Sequence, residues 1–189
     1  MSKTPVLNYV PVGSLIPLRR ETPTVLPGVA DFHVPVSLFL APVYARYTQG
    51  DAQSIPNGGA TVVDFNVKVY DTHSAVIVGR VASSLWRFIA PVKGLYAVSA
   101  SILFVSTTTW ADADNAQLTA YKNGGGYSVL DRKDSYGSAS SVYMGLGGVD
   151  IMELEVGESL SAYVYQNSGG ALAIYGDSGY NYISIWRVG

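Results

Sequence analysis

The chain has no cysteine among its 189 residues. Disulfide scaffolds and cysteine-ligated zinc or iron–sulfur centres are therefore excluded. Charge is scarce too: Lys and Arg number 12, Asp and Glu 14, and the net charge is −2. A nucleic-acid binder neutralises phosphates with a stripe of basic side chains, and none is visible. Long apolar runs are missing. The best, residues 34–43, holds Pro35 and Pro42 and is far short of the roughly 20 residues a membrane-crossing helix needs. The N-terminus does not read as a secretory leader, because Pro5, Pro11 and Pro17 break any apolar core. Histidine occurs only as His33 and His73, and no serine sits in a G-x-S-x-G elbow. A histidine-dependent triad would have to use one of these two, so the reading is non-enzymatic.

Hydrophobic residues make up 48% of the chain against 14% charged, which argues against disorder. So little charge also means that apolar surface must be hidden, between sheets or between subunits. Seven of the nine prolines fall in residues 1–43. Proline removes a ladder donor and fixes φ, so this stretch is expected to be an extended arm. Val6, Leu7, Tyr9, Val10, Leu15, Ile16 and Leu18 favour an arm that docks over a solvated tail.

From residue 44 the period becomes two, the signature of half-buried strands. In residues 61–71, Val63, Phe65, Val67 and Val69 share one face, and Asp64, Asn66 and Lys68 the other. In residues 94–105, Tyr96, Val98, Ala100, Ile102 and Phe104 alternate with small or polar partners. Leu118 and Ala120 precede Asn123-Gly124, a pair that tolerates the positive φ of a tight hairpin. Met152 and Leu154 lead to a turn at Gly157-Glu158, after which Leu160, Ala162 and Val164 alternate with Tyr163 and Tyr165. A last strand is expected over residues 180–188. No segment shows helical periodicity, and 20 glycines punctuate the runs. Many short strands with Gly-rich turns predict an all-β sandwich, jelly roll or barrel.

Four collinear motifs resemble the globular head of the complement component 1, q subunit family, which shares its jelly roll with the tumour necrosis factor ligands. They are Phe65-Asn66-Val67-Lys68-Val69-Tyr70-Asp71; Phe88 with Gly94-Leu95-Tyr96-Ala97-Val98, similar to F-x5-G-x-Y-x-F; Tyr121-Lys122-Asn123-Gly124; and Gly147-Gly148-Val149 with residues 152–160. Their order and spacing fit residues 44–189. Val98 stands where the second motif ends on an aromatic, there is no Gly-X-Y stalk, and residues 1–43 take its place. The resemblance implies a homotrimer of jelly rolls with chain termini at the base and loops at the far end. It implies non-catalytic recognition of proteins, glycans or cell surfaces. By the same analogy Tyr44, Tyr47, Tyr163, Tyr165 and Trp186 fall at the three-fold contact.

Some members of that family bind calcium near the trimer apex. Asp112 and Asp114, in the run Trp110-Ala111-Asp112-Ala113-Asp114-Asn115, are the candidate ligands; the other reading is a polar loop bonded to its own backbone. No other cofactor is expected. Trp110, Tyr136, Tyr175, Asp177 and Tyr180 lie in Gly-, Ser- or Asp-rich segments, and such aromatics suit surface recognition; the alternative is that these are connecting loops.

A family that acts outside cells and a chain without a leader are reconciled by a virion component, made in the host cytoplasm and released with the particle. Val12-Gly13-Ser14-Leu15-Ile16-Pro17 is similar to the start of phage tail-collar segments. The expected function is a trimeric fibre, decoration or spike. Residues 1–43 would anchor it to a capsid or tail protein, and the head would face outward toward a host glycan or protein. The alternative is a cellular adhesin or lectin-like domain, extracellular or at the cell surface. No nucleic acid and no membrane insertion are expected.

Overall fold

The period-two alternation folds into two facing antiparallel sheets. The computed structural model describes residues 42–81, 84–105, 110–136 and 143–188, with residues 80, 81 and 84 as backbone only. Thirteen strands run through them: β1 (Tyr44–Thr48), β2 (Gln53–Ile55), β3 (Thr61–Val62), β4 (Val67–Asp71), β5 (Val76–Val81), β6 (Ser84–Ile89), β7 (Gly94–Val105), β8 (Asp112–Lys122), β9 (Gly125–Tyr136), β10 (Met144–Leu154), β11 (Ser159–Gln166), β12 (Leu172–Ile174) and β13 (Tyr182–Val188). No helix occurs among the described residues. Most of the arm expected over residues 1–43, with His33, lies outside them. Val43 is buried in the core and its carbonyl accepts from the Arg187 amide, so it belongs to the head rather than to the arm.

The first sheet runs β10–β7–β13–β1–β4. Beyond the end of β13, β12 takes its place on β7, with β2 at the margin. The second sheet runs β5–β6–β11–β8–β9, with β3 beside β11. Tyr96, Val98, Ala100, Ile102 and Phe104 of β7 all turn inward, as their alternation predicts. Leu118 and Ala120 of β8 and Leu160, Ala162 and Val164 of β11 complete the core from the second sheet. Trp86 of β6 is fully enclosed and meets Phe65 and Tyr47 edge-on at 5.4 and 6.0 Å.

The pattern over residues 61–71 behaves differently from its expectation. Val63 and Phe65 are buried, but Val67 and Val69 are 44% and 53% exposed. The chain leaves the second sheet at β3 and crosses to the first, where β4 forms the margin beyond the cover of the opposing sheet. Alternation assigns a face only within one strand, and residues 63–66 interrupt this one, so Val63 and Phe65 do not share a face with Val67 and Val69.

Asn123 and Gly124 adopt φ of 51° and 79°, the two positive values that a two-residue hairpin between β8 and β9 requires. Asn123 also ties this hairpin to the next turn. Its Oδ1 accepts from the Ser159 amide at 2.8 Å, and its Nδ2 donates to Glu158 Oε1 at 2.8 Å. Glu158 Oε2 meets Lys122 Nζ at 2.7 Å and accepts from the Glu155 amide at 2.8 Å. The Lys122 hydrogen bond and then the Glu155 amide hold the Glu158 carboxyl down at about 2, against an ordinary 4.5. A depressed carboxyl stabilises the fold above its unfolded pKa, and that contribution fades as pH falls through the folded one. Glu158→Gln should therefore lower the melting temperature at neutral pH, and its deficit against the parent should shrink between pH 4.5 and 2. Thermal unfolding followed across that range checks it; a constant deficit would remove Glu158 from the acid response.

Candidate functional site

The outward positions of the first sheet form an apolar surface. Register places Tyr44 beside Trp186, Trp186 beside Ala97, and Ala97 beside Ile151. Val149, Ile151, Leu95 and Val188 of the same face are all exposed. At its centre Arg46 donates to Ser184 Oγ at 2.6 Å and lies over the Tyr182 ring at 4.3 Å. A shallow depression opens between Tyr44, Tyr70 and Trp186. This surface combines large apolar and aromatic side chains with a guanidinium already paired within the chain. Such a composition suits burial against another protein surface.

The five aromatics expected at one contact separate onto three surfaces. Tyr44 and Trp186 lie on the outer face of the first sheet. Tyr163 and Tyr165 stand on the outer face of the second, beside Thr119 and Gln117. Tyr47 points between the sheets and is buried, its hydroxyl donating to Asp71 Oδ2 at 3.1 Å. Burial, reinforced by the Asp71 charge, pushes its phenol up to about 12. Asp71 also accepts from the Ala75 and Val76 amides at 3.0 and 3.1 Å, so Tyr47 belongs to a buried clasp.

The residues expected to recognise a surface also divide. Tyr175 and Tyr180 meet edge-on at 5.9 Å, and Tyr143, which the sequence did not single out, joins Tyr175 at 6.4 Å. Asp177 shapes the loop between them, its Oδ1 accepting from the Gly179 amide at 2.7 Å. The residue that fixes this loop is Asn181. It is fully buried, donates to the Tyr175 carbonyl, and accepts from the Leu103 amide at 2.7 Å. Nothing in the alternation pointed to it. Tyr136 is 90% exposed at the end of β9. Trp110 is the correction: it is completely enclosed, edge-on to Phe104 at 6.0 Å, and offers no surface.

Asp112 and Asp114 open β8 rather than sitting in a free loop. A bulge occurs here, with Ala113 at φ 68° and a register shift between Asp112 and Asn115. Asp114 Oδ2 accepts from the Ala111 amide at 2.7 Å, the backbone-bonded reading of the segment. Among the described residues no group of three or more His, Asp or Glu could hold a metal ion. His73 lies beside Thr72, with Nδ1 2.9 Å from Oγ1, and its amide donates to Asp71.

The chain resembles solved tumour necrosis factor ligands. Eiger, the tumour necrosis factor of S. frugiperda, superposes with a TM-score of 0.55 at 12% identity, over 78% of this chain and 93% of that one. Murine APRIL superposes with a TM-score of 0.53 at 11% identity, over 78% of this chain and all of that one. At such identities the likeness shows the fold, an all-β jelly roll of the tumour necrosis factor and complement component 1, q subunit kind. In sequence, the chain is 30% identical over 112 residues to the uncharacterized protein YqcC of Bacillus subtilis. That match spans 58% of this chain and 28% of the relative's length. No protein-family model matches the chain.

Proposed function

We propose that the chain is a non-catalytic binding module, a jelly-roll head that assembles as a homotrimer and recognises a surface ligand, in the manner of an adhesin or lectin-like domain. The outer face of the first sheet carries this reading. Tyr44, Leu95, Val149 and Ile151 are between 42% and 63% exposed there, on a fold whose sandwich core is already complete without them. Each apolar side chain so exposed gains about 25 cal/mol per Å² when a neighbouring subunit covers it. Closed cyclic symmetry satisfies the patch without leaving an open end. With that face inside, the outer face of the second sheet remains outward for a ligand.

The virion setting and the anchoring role of residues 1–43 rest on the arm; the binding-module reading needs only the head. Light scattering after size-exclusion chromatography should give three times the 20.1 kDa chain mass. Ile151→Arg, which sets a charge among the exposed apolar side chains of that face, should shift the population to monomer while retaining the unfolding transition. A monomeric parent protein at micromolar concentration would sink the trimer.

A further inference from the structure

The outer face of the second sheet has a composition of its own. Tyr163 and Tyr165 of β11 stand beside Thr119 and Gln117 of β8, and Arg132 of β9 stands across from Gln117. The Tyr121 and Tyr163 rings stack at 3.9 Å with 20° between their planes. Across the ladder Gly126 has no side chain, so a Cβ there would come within 3.7 Å of the Tyr121 ring. These side chains line an open cleft of 350 Å³. Small-molecule sites occupy roughly 300–1,000 Å³.

The cleft pairs ring faces with neutral hydrogen-bonding groups. Gln117 Nε2 donates to Thr119 Oγ1 at 2.8 Å, which holds both groups in place. The amide keeps a carbonyl acceptor and a second N–H, and the hydroxyl keeps its proton. Burial, and then Tyr121, raise the Tyr163 phenol above its ordinary value, so it stays a neutral donor and acceptor. The one formal charge in the lining, Arg132, is held by Asp134 at 2.9 Å. A phosphorylated ligand would want uncompensated cations, and the site supplies none.

We propose that this cleft binds a neutral oligosaccharide. An aromatic face carries partial negative charge and takes the C–H face of a pyranose ring; the rim hydroxyls of such a ring match the amide and hydroxyl of Gln117 and Thr119. The proposal rests on the binding-module reading and gives it a ligand class and a location, on the face that trimer assembly leaves open.

The test uses the full chain on an array of cello-, manno-, galacto- and N-acetylglucosamine oligomers, with hits titrated calorimetrically. We expect at least one hit, weakened about tenfold or more by Tyr163→Ala and by Gln117→Ala at an unchanged unfolding midpoint. Tyr165→Ala takes the place of Tyr163→Ala if that variant loses its fold. No hit overturns the proposal. A hit that survives these substitutions and falls with Tyr180→Ala also overturns it, while leaving the binding-module reading in place. So does tighter binding of a synthetic proline-rich peptide of residues 1–41 than of any saccharide. The chain mass by light scattering is independent of all three outcomes.

Discussion

Replacing Trp86 with alanine should lower unfolding stability by about 3–5 kcal/mol, the usual cost of deleting a large enclosed aromatic. The indole is inaccessible to solvent and wedged between Phe65 and Tyr47. Tyr47 comes from β1 and Phe65 from the segment between β3 and β4, so the cavity would open between separate parts of the chain and neither ring could close it alone. Trp86 Nε1 finds no hydrogen-bond partner among the described residues. An unpaired buried donor costs roughly 1–3 kcal/mol, so Trp86→Phe should cost clearly less than Trp86→Ala because it removes the donor along with part of the volume. Urea unfolding of the two variants measures both quantities. If alanine costs under about 1 kcal/mol, the site collapses freely and the packing of Trp86 against Phe65 and Tyr47 is not what stabilises it.

Gly148→Ala should be the most damaging small substitution in the head, at about 3 kcal/mol. A Cβ at this position would lie 2.9 Å from the carbonyl carbon of Leu130 and closer still to its oxygen. The obstacle is backbone, so no rotamer change relieves it, and β9 must move away from β10. Two bonds across this margin would strain with it: the Gly147 amide to Asp131 Oδ2 at 3.0 Å, and Lys133 Nζ to the Gly145 carbonyl. Gly147→Ala is the control. Its Cβ would meet only ordinary contacts, the nearest at 3.5 Å, and should cost under about 1 kcal/mol. Chemical denaturation ranks the pair; equal costs would show that the close approach at Gly148 carries no special constraint.

Local features were readable wherever a single strand or turn decided them. The span of β7, its inward residues and the Asn123-Gly124 hairpin followed from alternation and from the φ preferences of two residues. What the sequence left hidden depends on which sheet a strand joins. Tyr163 and Tyr165 do share a face, but that face belongs to the opposite layer from Tyr44 and Trp186. One signal was present and unused: Tyr44 and Tyr47 are three positions apart, and an odd spacing within one strand puts them on opposite faces. Trp110 sits in a polar run that looks like an exposed loop, yet it plugs the end of the core against Phe104. Asn181 is held by bonds to Tyr175 and to Leu103, and the second of these is a partner that only the folded chain brings near.

The placement of β13 between β7 and β1 bears on the order in which the first sheet can be built. The last of the described strands is also the one that joins two earlier halves. As the polypeptide leaves the ribosome, β1 and β4 can pair with each other and β7 can pair with β10, but no strand pairs with both β7 and β1 until residues 182–188 emerge. Until then β7 and β1 each present an unpaired margin able to recruit another chain. A product truncated before residue 182 would keep most of the core residues and still lack the strand that closes those margins, so its fate would be association with its neighbours rather than a slightly weaker head.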